Sequence, residues 1–515
     1  IKNKKMKKDS HILIFFYFYM QIDQTQIDLI NPFLDLEAAE KLQDFQVTQQ
    51  DKLNLGIIYT PFSLIKNIFS LLPDTIFENP NHRWLDMGAG TGYFSIYLYH
   101  RLFQSLKNQI LDPIERKKHI IENMLYMAEI KPDHIEKLEN IFGPNANIIS
   151  GDFLSFTSFS REKISENNIQ ISNFNIIIGN PPYNCNGQIK TPTNIHVEKS
   201  QDGKTTWPDF IKKAISLLDH AGYLLSIIPS IWLKPDKAEI NKIMTHPESN
   251  IRLVKLHNLS ANETNKIFNY QAQTPTSYFL AKKNNNKHNS PESSSSCQIY
   301  DKSLQTYIEY PITPQSPIPL SSISIIKKLK PFIDKIGHIK VYKTNMPSSK
   351  SKFSIAPTIE YPHQNIKTCI FAQRISVTEK REPILIYNYS NIAQTYAHQN
   401  KPKLILAHKM FGFPYLDKIG KLGISYRDNY VITDKSLQKL KILQKFLSTK
   451  LILAIYDATR YRMRYLEKYA FELIPDITKL NDFPTNINDQ TIADYFNFSQ
   501  EEREKINKYP NYQYF

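Results

Sequence analysis

Asn180-Pro181-Pro182-Tyr183 is the stretch of this chain whose residue types most directly suggest chemistry. An amino group on an aromatic ring is a poor nucleophile, because its lone pair is delocalised into the ring. Two acceptors, the Asn180 side-chain oxygen and the Pro181 carbonyl, can hold the two protons of such a group. That favours a pyramidal nitrogen and aims its lone pair. Pro181 and Pro182 stiffen the loop by fixing φ. Tyr183 offers a flat face for a planar substrate.

A second cluster lies upstream, at Asp86-x-Gly88-x-Gly90-x-Gly92. Glycines let a backbone turn sharply and come close to a ligand, and an acid beside them can accept hydrogen bonds from an ammonium or from hydroxyls. A dinucleotide loop would read GxGxxG. The GxGxG spacing, with an acid two residues ahead, fits S-adenosylmethionine better. Glu129 follows an apolar run and suits the two hydroxyls of a ribose. Asp152 and Phe153 follow another, where the acid can accept from an adenine amino group and the ring can lie against it. Helix capping by Asp152 and core packing of Phe153 are the competing structural roles.

These residues need a scaffold that brings them to one edge. Short apolar runs at 84–87, 125–130, 147–150, 174–179 and 223–228 read as strands, with helical spacing between them at about 93–106, 133–141 and 209–218. Pro61 opens an earlier helix with Leu64, Ile65, Ile68, Phe69 and Leu72 on one face. The charged stretch 108–123 reads as an inserted helix, and 20–55 looks helical. Strands alternating with helices give an α/β fold with a doubly wound sheet, whose ligands sit at the carboxyl ends of the strands. Each candidate residue then follows a strand.

The chain has 515 residues and a net charge of +15. Residues 1–320 hold 33 Lys and Arg against 32 Asp and Glu, whereas 321–515 hold 31 against 17. A near-neutral front and a basic back suggest one part for chemistry and one for a polyanion. The expected organisation is a catalytic domain over 20–300, a low-complexity loop at 281–296, a Pro-rich linker over 301–320 and a basic domain over 321–515. That last domain shows no periodicity strong enough to assign its fold beyond α+β. Three well-separated cysteines, Cys185, Cys297 and Cys369, indicate neither a disulfide framework nor a zinc site, which points to an intracellular protein without a metal. The apolar run at 11–20 is too short to span a bilayer and lacks a cleavage site. Residues 1–19 are expected to be upstream or disordered sequence, with Met20 as the start.

In this order of motifs, Tyr59-Thr60-Pro61, the glycine loop, Asn-Pro-Pro-Tyr and a basic C-terminal region, the chain resembles the gamma class of adenine-N6 DNA methyltransferases, found in restriction–modification systems and large DNA viruses. The resemblance is specific over about 55–280 and looser over 320–490, where 402–431 and 450–475 look like target-recognition segments. It implies a class I S-adenosylmethionine-dependent methyltransferase fold followed by a DNA-recognition domain. Thr60, Asp86, Gly88, Gly90, Glu129, Asp152 and Phe153 would hold the cofactor. Asn180, Pro181, Pro182 and Tyr183 would form the catalytic loop. The target base would lie between Tyr183 and a second aromatic, for which Phe268 in NKIFNYQAQT matches best and Tyr270 comes next. The stretch 100–124 is longer than the minimal family spacing, which leaves Glu122 as an alternative to Glu129. The resemblance further implies direct transfer to a flipped base in double-stranded DNA by a monomer, with a separate restriction endonuclease as its companion. The same tetrapeptide occurs in methyltransferases of ribosomal RNA and of a protein glutamine, and a decayed, non-catalytic DNA-binding subunit would share the fold.

Overall fold

The computed structural model describes residues 58–161, 169–171, 173–185, 204–235, 238–284, 296–343, 352–371, 383–391, 401–407, 414–424, 429–433, 435–461 and 466–510. The expected segment 1–19, the start at Met20, the helix over 20–55 and most of the low-complexity stretch lie outside these residues. The chain divides into two compact units, one within Ile1–Ile227 with Ile267–Gln271, the other Ile228–Lys266 with Ala272–Phe515.

The first unit is built on β1 (Trp84–Asp86), β2 (Leu125–Glu129), β3 (Asn147–Ser150), β4 (Phe174–Gly179) and β5 (Leu218–Pro229). They run parallel in the order β3-β2-β1-β4-β5. β1 and β2 are buried along their whole length. A parallel sheet is covered on both faces, which is why these strands read as continuous apolar runs rather than alternating ones. Between them run α1 (Phe62–Phe69), α2 (Tyr93–Ser105), α3 (Pro113–His119), α4 (Pro132–Phe142) and α5 (Trp207–Leu217). α3 is the inserted helix, capped by Asp112, whose carboxylate accepts from the N–H groups of Ile114 and Glu115.

Two glycines at the carboxyl edge of this sheet are sterically required. Gly92, at φ 93°, starts α2, and a Cβ there would stand 2.9 Å from Leu138 Cδ2 of α4. Gly179, at φ 145°, ends β4, and a Cβ would stand 3.1 Å from Met87 Cγ and 3.2 Å from Asp86 Oδ1. The chain thus turns out of β1 and β4 side by side, where the strand order reverses. In sheets of this kind ligands bind at that crevice.

The second unit is α+β. β6 (Ile251–Leu259) pairs antiparallel with β7 (Thr276–Lys283) and parallel with β8 (Ser296–Asp301), which pairs antiparallel with β9 (Thr306–Pro311). The helix Ala261–Ile267 follows β6. Two four-stranded sheets lie further on, one containing Lys403–Ala407 and Asn429–Ile432, the other His363–Phe371 and Pro383–Ser390. Ile366, Ile405, Leu422 and Val431 form one buried cluster between them. Lys403 and Asp417 make a fully buried ion pair at 2.8 Å, and Asp417 also accepts from the N–H groups of Lys421 and Leu422. Those bonds satisfy the carboxylate that burial would otherwise penalise.

Two boundaries differ from the sequence reading. Residues 281–283 end β7 and Ser296 begins β8, so the expected loop is shorter at both sides. The first part of the expected linker, up to Pro311, is not irregular. Asp301 pairs with Thr306 and Ser296 with Pro311 in a hairpin, and beyond it the Ile318 N–H donates to the Leu233 carbonyl and the Tyr461 hydroxyl to the Ile318 carbonyl. The prolines at 311, 314, 317 and 319 crowd the end of this stretch and mask the strand-forming TYIEYP before them. Among the described residues no helix is long and apolar enough to cross a membrane.

Candidate active site

A cavity of about 430 Å³ opens at the carboxyl edge of the first unit's sheet. That lies within the range of roughly 300–1,000 Å³ usual for small-ligand sites. Its lining brings together Thr60, Gly88, Gly90, Glu129, Asp152, Phe153, Asn180, Pro181, Pro182 and Tyr183. Four sequence candidates stand outside it: Asp86, Phe268 and the alternatives Glu122 and Tyr270.

The glycine loop is stitched to the neighbouring strand. Ala89 N–H donates to the Ala128 carbonyl at 3.0 Å, and Gly90 N–H donates to Glu129 Oε2 at 2.7 Å. Glu129 Oε1 accepts from the N–H groups of Ile130 (3.1 Å) and Lys131 (2.9 Å). The His134 ring, from the first turn of α4, stands with Nδ1 3.6 Å from the same oxygen. Burial works against ionisation of Glu129, but His134 and the backbone donors outweigh it and hold its carboxyl below the usual range. Glu129 therefore shapes the loop and keeps acceptor capacity on Oε2. Glu122 is half-buried, accepts from Asn145 Nδ2 and does not line the cavity.

Asp86 is buried at the end of β1 and accepts from Ser95 Oγ at 2.9 Å, while its Oδ1 has no partner. Burial pushes its carboxyl up to about 7, against hydrogen bonds from Ser95 and the Gly88 N–H and with the nearby charge of Glu129 adding to the rise. Asp152 caps the short turn Phe153–Ser155 by accepting from Leu154 N–H at 2.9 Å. Phe153 stacks on Phe210 with ring centroids 5.3 Å apart and planes 27° apart, and both rings line the cavity.

At the other end of the cavity, Asn180 is oriented by its surroundings. Its Nδ2 donates to Thr60 Oγ1 at 3.0 Å and to the Ile58 carbonyl at 3.4 Å. A carbonyl only accepts, so the nitrogen must be the end facing Ile58. Oδ1 is left buried and without a partner. The Pro182 carbonyl accepts from Thr206 Oγ1, and no described residue donates to the Pro181 carbonyl. The Tyr183 hydroxyl is buried without a partner, and burial pushes its pKa well up. Phe268 is buried just beyond the helix Ala261–Ile267, and Tyr270, 72% exposed, follows it.

Four of the remaining lining residues, Tyr59, His134, Thr206 and Phe210, were given no site role by sequence reasoning. Tyr59 stands against Tyr93 edge-on at 5.8 Å and meets His134 Nε2 with its hydroxyl at 3.3 Å. His134 looks like an ordinary first-turn residue. Thr206 and Phe210 begin the helix after the Asn180–Tyr183 loop, and Phe210 reads as core. The one available signal is position, since all four sit at element starts on the strands' carboxyl side.

A parallel sheet in this order, with a glycine loop after its first strand and an Asn-Pro-Pro-Tyr loop after its fourth meeting over one cavity, defines a class I methyltransferase fold. Residues 81–268 match the family model described as Eco57I restriction-modification methylase. The chain is thus similar to the methyltransferases of restriction–modification systems. Among solved structures it is similar to the type IIL restriction-modification enzyme MmeI (10% identity, 83% of this chain and 69% of that one, TM-score 0.40). It is also similar to the type I EcoKI M protein (18% identity, 48% of each chain, TM-score 0.33) and to a class I methyltransferase of Listeria monocytogenes (14% identity, 55% and 76%, TM-score 0.33). The chain spans about half the length of the type I modification subunits it matches. No curated protein matches it.

Proposed function

We propose that this chain transfers a methyl group from S-adenosylmethionine to the N6 of adenine in double-stranded DNA. The observation that carries the reading is Asn180, with Nδ2 tied to Thr60 and Ile58 and Oδ1 buried and unpartnered, in one loop with the Pro181 carbonyl, to which no described residue donates. A buried acceptor without a donor costs about 1–3 kcal/mol. Asn180 Oδ1 and the Pro181 carbonyl, two acceptors in one loop, match the two protons of an exocyclic amino group.

The cavity's residues fit the cofactor. No atom lies within 4 Å of where a Cβ on Gly88 would stand, so the loop leaves open space. Glu129 Oε2 has a lone pair free for a ribose hydroxyl, Phe153 and Phe210 form an aromatic wall for an adenine, and Asp152 has a second oxygen for its amino group. S-adenosylmethionine supplies an electrophilic methyl. Asn180 and the Pro181 carbonyl align the target nitrogen, and the Tyr183 ring supports the base face. The target base leaves the duplex to reach the loop, because its amino group is otherwise paired. Phe268 remains the proposed second aromatic. The excess of 31 basic over 17 acidic residues in 321–515 supports a grip on the phosphate backbone.

The test is transfer of tritiated methyl from S-adenosylmethionine to unmethylated duplex DNA by the full chain, with ribosomal RNA in parallel and the product nucleoside identified by mass spectrometry. N6-methyladenine in DNA is expected. Label only in RNA or protein would refute the reading. N4-methylcytosine would overturn the base assignment alone.

A further inference from the structure

We infer that Thr206 is a positioning residue for methyl transfer, locking the Pro182–Tyr183 peptide so that the Pro181 carbonyl and the Tyr183 ring face the target base. The inference rests on the proposed methyl transfer to DNA.

Thr206 stands in the N-cap position of α5, where a threonine hydroxyl ordinarily accepts from a backbone N–H of the first turn. It makes no such bond here. Its hydroxyl instead donates to the Pro182 carbonyl at 2.7 Å, and its N–H donates to the Tyr183 carbonyl at 3.3 Å. Thr206 is itself fixed, since it is 6% exposed and its carbonyl accepts from the N–H groups of Asp209 and Phe210. Two consecutive carbonyls of the catalytic loop thus hang from one residue at the head of a helix.

This anchor complements the one at Asn180. Between them lie two prolines with fixed φ, which leaves few free torsions. The Tyr183 hydroxyl has no hydrogen-bond partner, so no hydrogen bond at the far end of the ring orients it. Its placement comes from the backbone, which Thr206 holds. The lock also engages the Pro182 carbonyl, whereas the Pro181 carbonyl receives no donor from the described residues and is the acceptor assigned to act with Asn180 Oδ1. Thr206 is 23 positions after Tyr183 in sequence, and only the fold brings them together.

The test uses the full chain with Thr206→Val, which keeps shape and removes the donor, and Thr206→Ser, which restores it. The bond lost is not a helix cap, so α5 should persist. Thr206→Val is expected to lower kcat for DNA methylation about 5- to 150-fold, the effect of a carbonyl without its donor (about 1–3 kcal/mol, at roughly 1.4 kcal/mol per tenfold). The Kd for S-adenosylmethionine, read by calorimetry, should stay within about threefold, and Thr206→Ser should recover kcat to within about threefold. Should Thr206→Val fail to fold, Thr206→Ala is read in its place. An unchanged kcat, or kcat and cofactor affinity falling together with no recovery by serine, overturns the inference alone. Wild-type protein that transfers no methyl to DNA overturns the functional reading and this inference with it.

Discussion

Replacing Asn180 by alanine separates the proposed roles of the cavity's two ends. The substitution removes Oδ1 and the two bonds of Nδ2, at 3.0 Å to Thr60 and at 3.4 Å to Ile58. The longer bond is weak, so the stability loss should be about 1–2 kcal/mol. The catalytic loss should be larger. A nitrogen gaining a methyl becomes more positive, and its hydrogen bonds strengthen as the reaction proceeds. Removing one preorganised partner of that kind costs about 10²- to 10³-fold in rate. Glu129, Phe153 and Gly90 are untouched, so affinity for S-adenosylmethionine should change by less than about threefold, the pattern of a group acting mainly in the transition state. Single-turnover transfer of tritiated methyl to DNA, alongside calorimetric titration with S-adenosylmethionine, measures both quantities. A rate within threefold of wild type, or an affinity that falls in step with the rate, refutes the reasoning.

Other substitutions probe the rest of the site. Glu129→Ala should weaken S-adenosylmethionine binding about tenfold or more, because it removes the acceptor of three backbone N–H groups, one of them in the glycine loop. Glu122→Ala should leave the titration unchanged, and the reverse outcome would reassign the ribose acid. Tyr183→Phe removes a buried hydroxyl that has no partner and should raise the melting temperature of ligand-free protein by a few degrees, about 1 kcal/mol or more. A fall would mean the hydroxyl has a partner. Asp86 keeps its proton up to about pH 7 when folded but loses it near 3.8 when unfolded. Its contribution to stability is therefore full below about pH 4 and declines as pH rises to about 7. Urea midpoints should show the stability of Asp86→Asn relative to wild type growing across that window, and a flat difference would contradict the burial argument.

Much of the catalytic unit was legible because its strands are buried on both faces. Such strands leave uninterrupted apolar runs, and the residues that follow them fall on one edge. β4 runs over the span expected, and Asn180 and Glu129 follow from such runs. What stayed hidden depends on tertiary partners. The sequence places Asp86 with the glycines but does not say that its carboxylate turns to Ser95 rather than into the cavity. Thr206 carries no signal of its own in the sequence, and its bond to Pro182 crosses a gap that no spacing rule bridges. The hairpin over 296–311 was obscured by the prolines after it. In the basic region the partners that cover the strands lie far along the chain, as Ile366 and Val431 show.

The central claim is that this chain places methyl groups on adenine N6 at particular DNA sites. Methylation-aware sequencing of genomic DNA from cells expressing the wild-type chain, compared with cells expressing Asn180→Ala, tests it most directly. The account expects N6-methyladenine at one short recurring sequence in the first sample and none in the second. DNA without N6-methyladenine in both, or equal methylation in both, would contradict it.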